Sequence, residues 1–182
     1  YDNIPESPYV KYQPSTVPDF SMHQIKIDIS NILVSNSFFE MQNNSLIPDS
    51  SVKLFSSDSV VKILNPLSND LSVLRPNMYY SGLKTIKFNL NRQSNNLKMF
   101  EFGKVYKKNK TEYIEKEKLT IFVTGGFSGG NWFEDANSSN FFFVKGVFSK
   151  VLSNFGLDSS FFQVKESISN YAELQLSYHI NG

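Results

Sequence analysis

Three stretches of the chain carry apolar residues at the spacing of an amphipathic helix. They cover residues 19–36, 77–93 and 141–155. In the first stretch, the apolar face is formed by Met22, Ile25, Ile29, Ile32 and Leu33. Asn140 and Gly156 flank the third stretch and suit its N-cap and its C-terminal stop. The pattern therefore predicts three helices.

Shorter stretches that alternate apolar and polar residues, or that concentrate β-branched and aromatic ones, predict strands. They are residues 38–42, 52–55, 60–64, 98–107, 118–124 and 161–165, and a last strand from residue 172. Residues 109–118 are predicted to be a charged loop. Because the strands come in consecutive hairpin-like groups with helices between the groups, we predict an α+β fold, an antiparallel sheet flanked by helices.

The two ends of the chain carry different signals from the part between them. Residues 1–18 contain four prolines and little periodicity, which predicts a lead-in from a preceding domain. The last strand pattern runs into Asn181-Gly182, a strong hairpin-turn signal with no returning strand after it. We therefore expect one domain at residues 19–182 that is truncated at its C-terminal end.

Composition supports a large core and excludes several classes of protein. Aromatic residues make up 15% of the chain, with 17 Phe and 9 Tyr, which is ample material for a packed interior. The net charge is +1, so the chain lacks the dense basic footprint of a stand-alone nucleic-acid binder. The absence of Cys excludes disulfides and thiolate zinc sites. No apolar run approaches the roughly 18 residues of a membrane span, so we expect a cytoplasmic protein without a membrane partner.

Candidate chemistry is sparse along the chain. His23 and His179 have no carboxylate at ligand spacing, so no metal site is predicted. The glycine-rich residues 125–130 lack the Gly-Lys-Ser/Thr ending of a phosphate-binding loop. We interpret them as a flexible turn, with phosphate binding as the alternative. The basic segment Lys107, Lys108 and Lys110 is interpreted as solvated charge, with contact to a phosphate backbone as the alternative.

Residues 61–76 read VKILNPLSNDLSVLRP. This stretch resembles the signature NPLS-x-(D/E)-x-S-x-(L/M)-R-P of bacterial-type phenylalanyl-tRNA synthetase beta subunits. Its signature positions, with the glycine of the later segment FEFGKVY, are Asn65, Pro66, Leu67, Ser68, Arg75, Pro76 and Gly103. Other segments match in order along nearly the whole chain, among them YDNIP at residues 1–5 and FFVKG at residues 142–146.

The resemblance implies a class II aminoacyl-tRNA synthetase-like fold, in agreement with the α+β prediction. In that family the beta subunit pairs with an alpha subunit that holds the aminoacylation site, in an (αβ)₂ heterotetramer. The resemblance thus implies a part of phenylalanine-tRNA ligase, which uses ATP and magnesium, with the alpha subunit and tRNA as partners. We expect this domain to be a non-catalytic scaffold that binds none of those cofactors itself.

Departures from the catalytic pattern agree with that expectation. Class II catalytic domains carry Arg-x-Glu in their second motif, where the arginine clamps the ATP α-phosphate and a carboxylate. The resemblance places Lys107 at the arginine position and Asn109 at the glutamate position. Lysine cannot reproduce the bidentate fork of arginine, so no catalytic residue is predicted. The alternatives are a self-contained class II-type ATP-dependent ligase or adenylating domain, and an unrelated β-rich binding module.

Two features have both a structural and a functional interpretation. The candidate interface with the alpha subunit is Met22, Ile25, Ile29 and Ile32. It is suggested by the long first-motif helix through which class II domains dimerise, and ordinary core packing is the alternative. Arg75 is predicted to form a structural salt bridge with a carboxylate such as Asp70. The alternative for Arg75 is contact with the alpha subunit or tRNA.

Overall fold

A hairpin of two twelve-residue strands forms the centre of the structure. The computed structural model describes residues 21–55, 60–110, 112–126, 140–169 and 172–180. The helices in these ranges are α1 (Met22–Ser35), α2 (Asp49–Phe55), α3 (Tyr79–Leu90) and α4 (Phe141–Asn154). The strands are β1 (Phe39–Glu40), β2 (Leu46–Ile47), β3 (Val61–Lys62), β4 (Val73–Leu74), β5 (Leu97–Lys108), β6 (Tyr113–Thr124), β7 (Phe162–Ser169) and β8 (Ala172–Ile180). Single 3-10 turns cover Asn69–Leu71 and Ser159–Phe161.

The strands of the described ranges form three sheets. β5 and β6 pair in antiparallel register from Leu97 opposite Thr124 to Lys108 opposite Tyr113, and β1 adds in parallel to the other edge of β5. A small antiparallel sheet has the order β2-β4-β3, and β7 and β8 form a separate antiparallel hairpin. Antiparallel pairing dominates, which confirms the predicted α+β class.

One face of the β5–β6 hairpin carries the main core. Residues directly opposite each other on two strands share a face, so the pairs Phe100–Ile121 and Phe102–Leu119 point the same way. They pack with Leu33 of α1 and with α4, and Phe100 and Leu33 are fully buried. Helices α1 and α4 therefore cover this face, and Ile29, Ile32 and Leu33 of the predicted α1 stripe pack into the core.

The opposite face of the hairpin is covered by α3 through a close contact at Gly82. A methyl group at Gly82 would lie 3.0 Å from one ring carbon of Phe122 and closer still to two others. Only a residue without a side chain lets the helix approach the ring at this distance. Around Phe122 and Gly103 the hairpin is thus covered on both faces, with α3 and the segment before it on the face opposite the main core.

The three predicted helices are confirmed as α1, α3 and α4. The N-cap prediction for the third is also confirmed, because Asn140 Oδ1 accepts a hydrogen bond of 3.0 Å from the Phe143 amide. Gly156 has a φ of 72°, a left-handed conformation that suits a residue after a helix end. The strands predicted at 38–42, 60–64, 98–107, 118–124, 161–165 and 172 onward overlap β1, β3, β5, β6, β7 and β8, in that order.

Two local predictions were wrong. Residues 52–55 belong to helix α2, not to a strand, because a short apolar run fits either structure until its packing is known. Val52 there is buried against Ile47 and Val73. The predicted loop 109–118 is mostly strand, since β6 begins at Tyr113 and the Asn109 amide donates to the Glu112 carbonyl across a tight turn.

Several predictions fall outside the described residues. The lead-in at residues 1–18, the turn at Asn181-Gly182 and most of the glycine-rich segment 125–130 are among them. The expected domain limits therefore stay predictions. Within the described ranges, no helix is both long enough and apolar enough to cross a membrane.

Candidate functional site

The most deeply buried charges of the described structure form one ion pair against the middle of β5. Arg75 follows β4, and its Nη1 lies 2.8 Å from Oε1 of Glu101 in β5. Each side chain is 2% exposed. The predicted structural salt bridge of Arg75 is therefore confirmed, but its partner was predicted wrongly. Asp70 is exposed in the 3-10 turn, whereas Glu101 points inward from a central strand.

Arg75 is held by its backbone as well as its side chain. Its Nε donates to the Lys104 carbonyl at 3.0 Å, and its amide donates to the Ser45 carbonyl at 2.9 Å. Its own carbonyl accepts from the Tyr106 amide at 3.0 Å. The guanidinium is thus fixed against β5 with its charge compensated, which is the condition for burying an arginine without a large penalty.

Both carboxylate oxygens of Glu101 accept hydrogen bonds. Its Oε2 accepts from Asn43 Nδ2 at 2.7 Å, and its Oε1 accepts from the Asn43 amide at 3.3 Å in addition to Arg75. Thr85 of α3 extends the chain of contacts, since its Oγ1 donates to Asn43 Oδ1 at 2.6 Å. A buried carboxylate that is engaged in this way is a structural anchor.

Gly103 is required by the same network. A methyl group at this position would lie 2.5 Å from Cε and 2.8 Å from Sδ of Met78, and closer still to a guanidinium nitrogen of Arg75. The side chains of Arg75 and Met78 therefore occupy the surface of β5 that a Cβ would fill. Two signature positions, the arginine and the glycine, are explained by one contact.

The signature block itself divides into a surface part and a buried part. Arg75 and Pro76 are buried, whereas residues 65–68 are exposed. Leu64 and Leu67 in that exposed part are 93% and 97% exposed. The first part of the block therefore contributes surface, and its Arg-Pro end contributes to the interior.

The degenerate second-motif positions lie at the outer end of the hairpin. Lys107 is exposed in β5 opposite Ile114, and Asn109 begins the turn. On the opposite face of the hairpin, Lys104 Nζ lies 2.6 Å from Glu115 Oε1 with both side chains about half exposed. That hydrogen bond, with the charge of Glu115, raises the pKa of Lys104 above its ordinary value.

The histidines do not come together. His23 lies on α1 and His179 on β8, both exposed. In the part of the chain that the structure describes, no group of three or more His, Asp or Glu side chains could hold a metal ion.

The candidate interface residues of α1 divide between surface and core. Met22 is 61% exposed, and Ile25 is half-buried. Ile29 and Ile32 pack against the main core. The N-terminal part of the stripe is therefore available to a partner, and its assignment to an interface stays a prediction.

Two clefts lie beside α3 and α4. One, of about 490 Å³, lies between α3 and the segment before α2, and includes Asn43, Tyr80, Lys84 and Phe88. The other, of about 400 Å³, lies between β6, α4 and β8 and is lined mainly by apolar groups. The Tyr178 hydroxyl is buried at that second cleft without a hydrogen-bond partner among the described residues.

Sequence reasoning missed Glu101, Asn43 and Thr85. The available signal was Glu101 itself, a single acid within the apolar run Met99–Phe102 on the same face as Gly103. An acid at the centre of a long strand predicts a buried cation, but its partner is 26 residues away and cannot be found from spacing.

An antiparallel hairpin with a parallel strand at its edge and helices on both faces defines a class II aminoacyl-tRNA synthetase-like fold. A pyrrolysyl-tRNA synthetase from Desulfitobacterium hafniense superposes with a TM-score of 0.60 at 16% identity, over 86% of this chain and 54% of that one. A Bacillus halodurans protein titled as an ATP phosphoribosyltransferase regulatory subunit/histidyl-tRNA synthetase gives 0.57 at 19%, over 87% and 40%. These likenesses show the fold.

Residues 7–176 match the family described as the phenylalanyl tRNA synthetase beta chain CLM domain, and the chain belongs to that family. The phenylalanine–tRNA ligase beta subunit of Bacteroides thetaiotaomicron is 32% identical over 166 residues, which cover 85% of this chain and 20% of that protein. The one from Carboxydothermus hydrogenoformans is 30% identical over 175 residues, 92% of this chain and 22% of that protein. The chain thus spans about a fifth of the length of these relatives.

Proposed function

We propose that this domain is a non-catalytic scaffold in the beta subunit of a phenylalanine–tRNA ligase, which attaches phenylalanine to its tRNA. In this proposal the domain positions a catalytic alpha subunit and supports tRNA docking in an (αβ)₂ assembly in the cytoplasm. ATP and magnesium act at the alpha subunit. The family membership of residues 7–176 supports the assignment to the beta subunit.

The observation that carries the scaffold role is the filling of the sheet at Gly103. Arg75 and Met78 lie on β5 at that position, and Glu101 is engaged by Arg75 and Asn43. Further along the same strand, Lys107 and Asn109 stand where the resemblance requires arginine and glutamate for ATP. The inner half of β5 is covered by the side chains of Arg75 and Met78, and its outer half lacks the arginine and glutamate that would bind ATP. Both features support a structural role.

Helix α1 supports the contact with the alpha subunit. Its N-terminal turns expose Met22 and part of Ile25, while its C-terminal turns reach the core through Ile29 and Ile32. One helix would then join the core of this domain to its partner. The buried core of a protein interface is more apolar than the rest of the protein surface, so exposed apolar side chains at the start of α1 suit such a core.

Co-purification of the two full-length subunits tests this proposal. Met22→Lys with Ile25→Lys is expected to reduce the alpha subunit recovered with the beta subunit, because two charges would be buried unpaired. Val164→Lys, at a 51% exposed apolar residue of β7, is the matched control and is expected to leave recovery unchanged. If the α1 variant recovers as much alpha subunit as the wild type and its circular dichroism is unaltered, the contact lies elsewhere.

Calorimetry on this chain alone tests the self-contained adenylating alternative. We expect no heat of binding for ATP or for phenylalanine, because the second-motif arginine and glutamate are replaced. Saturable heat for both ligands would establish the alternative and overturn the scaffold role.

A further inference from the structure

The cleft of about 490 Å³ beside α3 carries opposite charges on its two walls. Lys84 lies on the wall formed by α3, and Asp70 lies on the wall formed by the segment before α2 and the 3-10 turn after β3. Both side chains are exposed. Neither forms an ion pair within the described ranges, with the other or with a third residue. The cleft therefore holds two separated charges of opposite sign.

The floor of the cleft is mainly apolar, and several of its polar atoms already have partners. The apolar lining comes from Leu46, Ile47, Pro48, Leu71, Tyr80 and Phe88. Thr85 Oγ1 donates to Asn43 Oδ1, and Asn43 Nδ2 donates to Glu101. Asn44 Oδ1 accepts from the Leu46 amide at 2.9 Å. An occupant therefore gains most from apolar side chains placed on the floor, because their burial is favourable without a specific partner.

The α3 side of the cleft carries a second cation. The ring of Phe88 is 54% exposed, and the guanidinium carbon of Arg92 lies 3.4 Å from its centroid. Arg92 Nη1 also donates to the Phe88 carbonyl at 3.2 Å. The α3 side is thus basic through Lys84 and Arg92, whereas the opposite wall is acidic through Asp70.

The form of the cleft favours a polypeptide segment over a small molecule. Pockets for small molecules enclose most of the surface of their ligand, whereas Asp70, Lys84 and Phe88 are all exposed at this cleft. Grooves that recognise peptides combine apolar positions with charges that set orientation and register. The charges here require an anionic residue of the segment beside α3 and a cationic residue beside Asp70.

We propose that this cleft docks a segment of the same beta subunit that lies outside residues 1–182, with apolar side chains between an acidic and a basic residue. The matched residues cover 20% and 22% of two relatives, so a beta subunit of that length has many further segments. A tethered segment acts at a millimolar effective concentration. Contacts between domains of one chain are also more polar than obligate interfaces, which suits charged walls around an apolar floor.

Thiol modification in the assembled ligase tests this docking surface. Residues 1–182 contain no Cys, so Lys84→Cys adds one thiol inside the cleft. Lys87→Cys is the matched control, because Lys87 is exposed on the same helix and does not line the cleft. A millimolar effective concentration and a dissociation constant of about 0.1 mM slow modification about tenfold. We therefore expect Lys84→Cys to react about tenfold more slowly with a maleimide than Lys87→Cys, and equal rates would overturn the proposal.

Charge reversal on the opposite wall tests the charge complementarity. Adding Asp70→Lys to the Lys84→Cys variant replaces the carboxylate that the cation of the segment meets, so the reaction should approach the rate of Lys87→Cys. Adding Glu166→Lys, at an exposed acid of β7, is the control and should leave the slow rate unchanged. If both additions change the rate equally, net charge explains the effect and the docking surface is contradicted.

Zero-length carbodiimide crosslinking of the assembled ligase identifies the occupant, because the reagent joins an amine to a carboxylate that it contacts. We expect Lys84 to be linked to an acidic residue of the beta subunit outside residues 1–182, and Lys87 to remain unlinked. A link from Lys84 to the alpha subunit or to Asp70 would contradict the proposal. The docking surface rests on the proposed function only in placing this chain within a longer beta subunit. If it fails while the alpha subunit is still recovered, the scaffold role is unaffected.

Discussion

The inner half of the β5–β6 hairpin, around Glu101, and its outer half, around Glu115, each carry an ion pair, but the two pairs lie in opposite environments. Glu101 and Arg75 form an ion pair that is 2% exposed, whereas Lys104 and Glu115 form one that is about half exposed. Only three positions of β5 separate Glu101 from Lys104. The difference in burial therefore decides which pair the fold depends on.

The difference follows from what happens when one partner is removed. A charge left alone in the interior cannot be solvated, and breaking a buried pair costs about 3–5 kcal/mol. A charge left alone at the surface is solvated by water and screened by salt. The pair in the inner half is therefore constrained by the fold, and the pair in the outer half tolerates the loss of a partner.

The largest loss of stability is expected when Glu101 is removed from the inner pair. We expect Glu101→Ala to lower the free energy of unfolding by about 3–5 kcal/mol, because Arg75 is left buried without its counter-charge. The double variant with Arg75→Ala should lose clearly less than the sum of the two single variants. Urea unfolding with a double-mutant cycle measures this coupling, and strictly additive effects would contradict it.

A smaller loss of stability is expected when a side chain is placed in the space above Gly103. Gly103→Ala places a methyl group against Met78 and Arg75, and we expect a loss of about 1–3 kcal/mol from overpacking. Gly146→Ala in α4 is the matched control, because its methyl group would meet nothing within 4 Å. That control should be neutral or stabilise by up to about 1 kcal/mol. Thermal unfolding of the two variants side by side checks the contrast.

The smallest effect is expected at the exposed pair. Glu115→Gln should lower the pKa of Lys104, since the hydrogen bond and charge of Glu115 are the main cause of its raised value. A raised folded-state pKa means that the pair contributes stability below the unfolded pKa, and this contribution is lost as pH rises through the folded pKa. NMR titration of the lysine side chains measures the shift. An unchanged pKa would show that the pair does not persist in solution.

The sequence predicted elements far better than contacts. Helices α1 and α4 followed from apolar spacing because that spacing reports which face of a helix is buried. Residues 52–55 were misread because four apolar-rich residues are too few to distinguish a strand from a helix. The two-residue strands β2 and β4 gave no periodicity at all.

The candidate site was predicted in part. Arg75 and Gly103 were singled out by the signature, and a structural salt bridge was expected for Arg75. The partner Glu101 was not identified, since the pairing depends on how β5 and the segment after β4 approach in space. Asn43 and Thr85 were missed for the same reason.

By itself, the sequence determined the helices, the long strands and the family, because each depends on a pattern of residues that lie close together along the chain. Only the tertiary structure decided which carboxylate neutralises Arg75, why position 103 has no room for a side chain, and that Asp70 and Lys84 line one cleft. Each of these depends on segments that meet after the chain has folded, where register and burial set the energy of a charge.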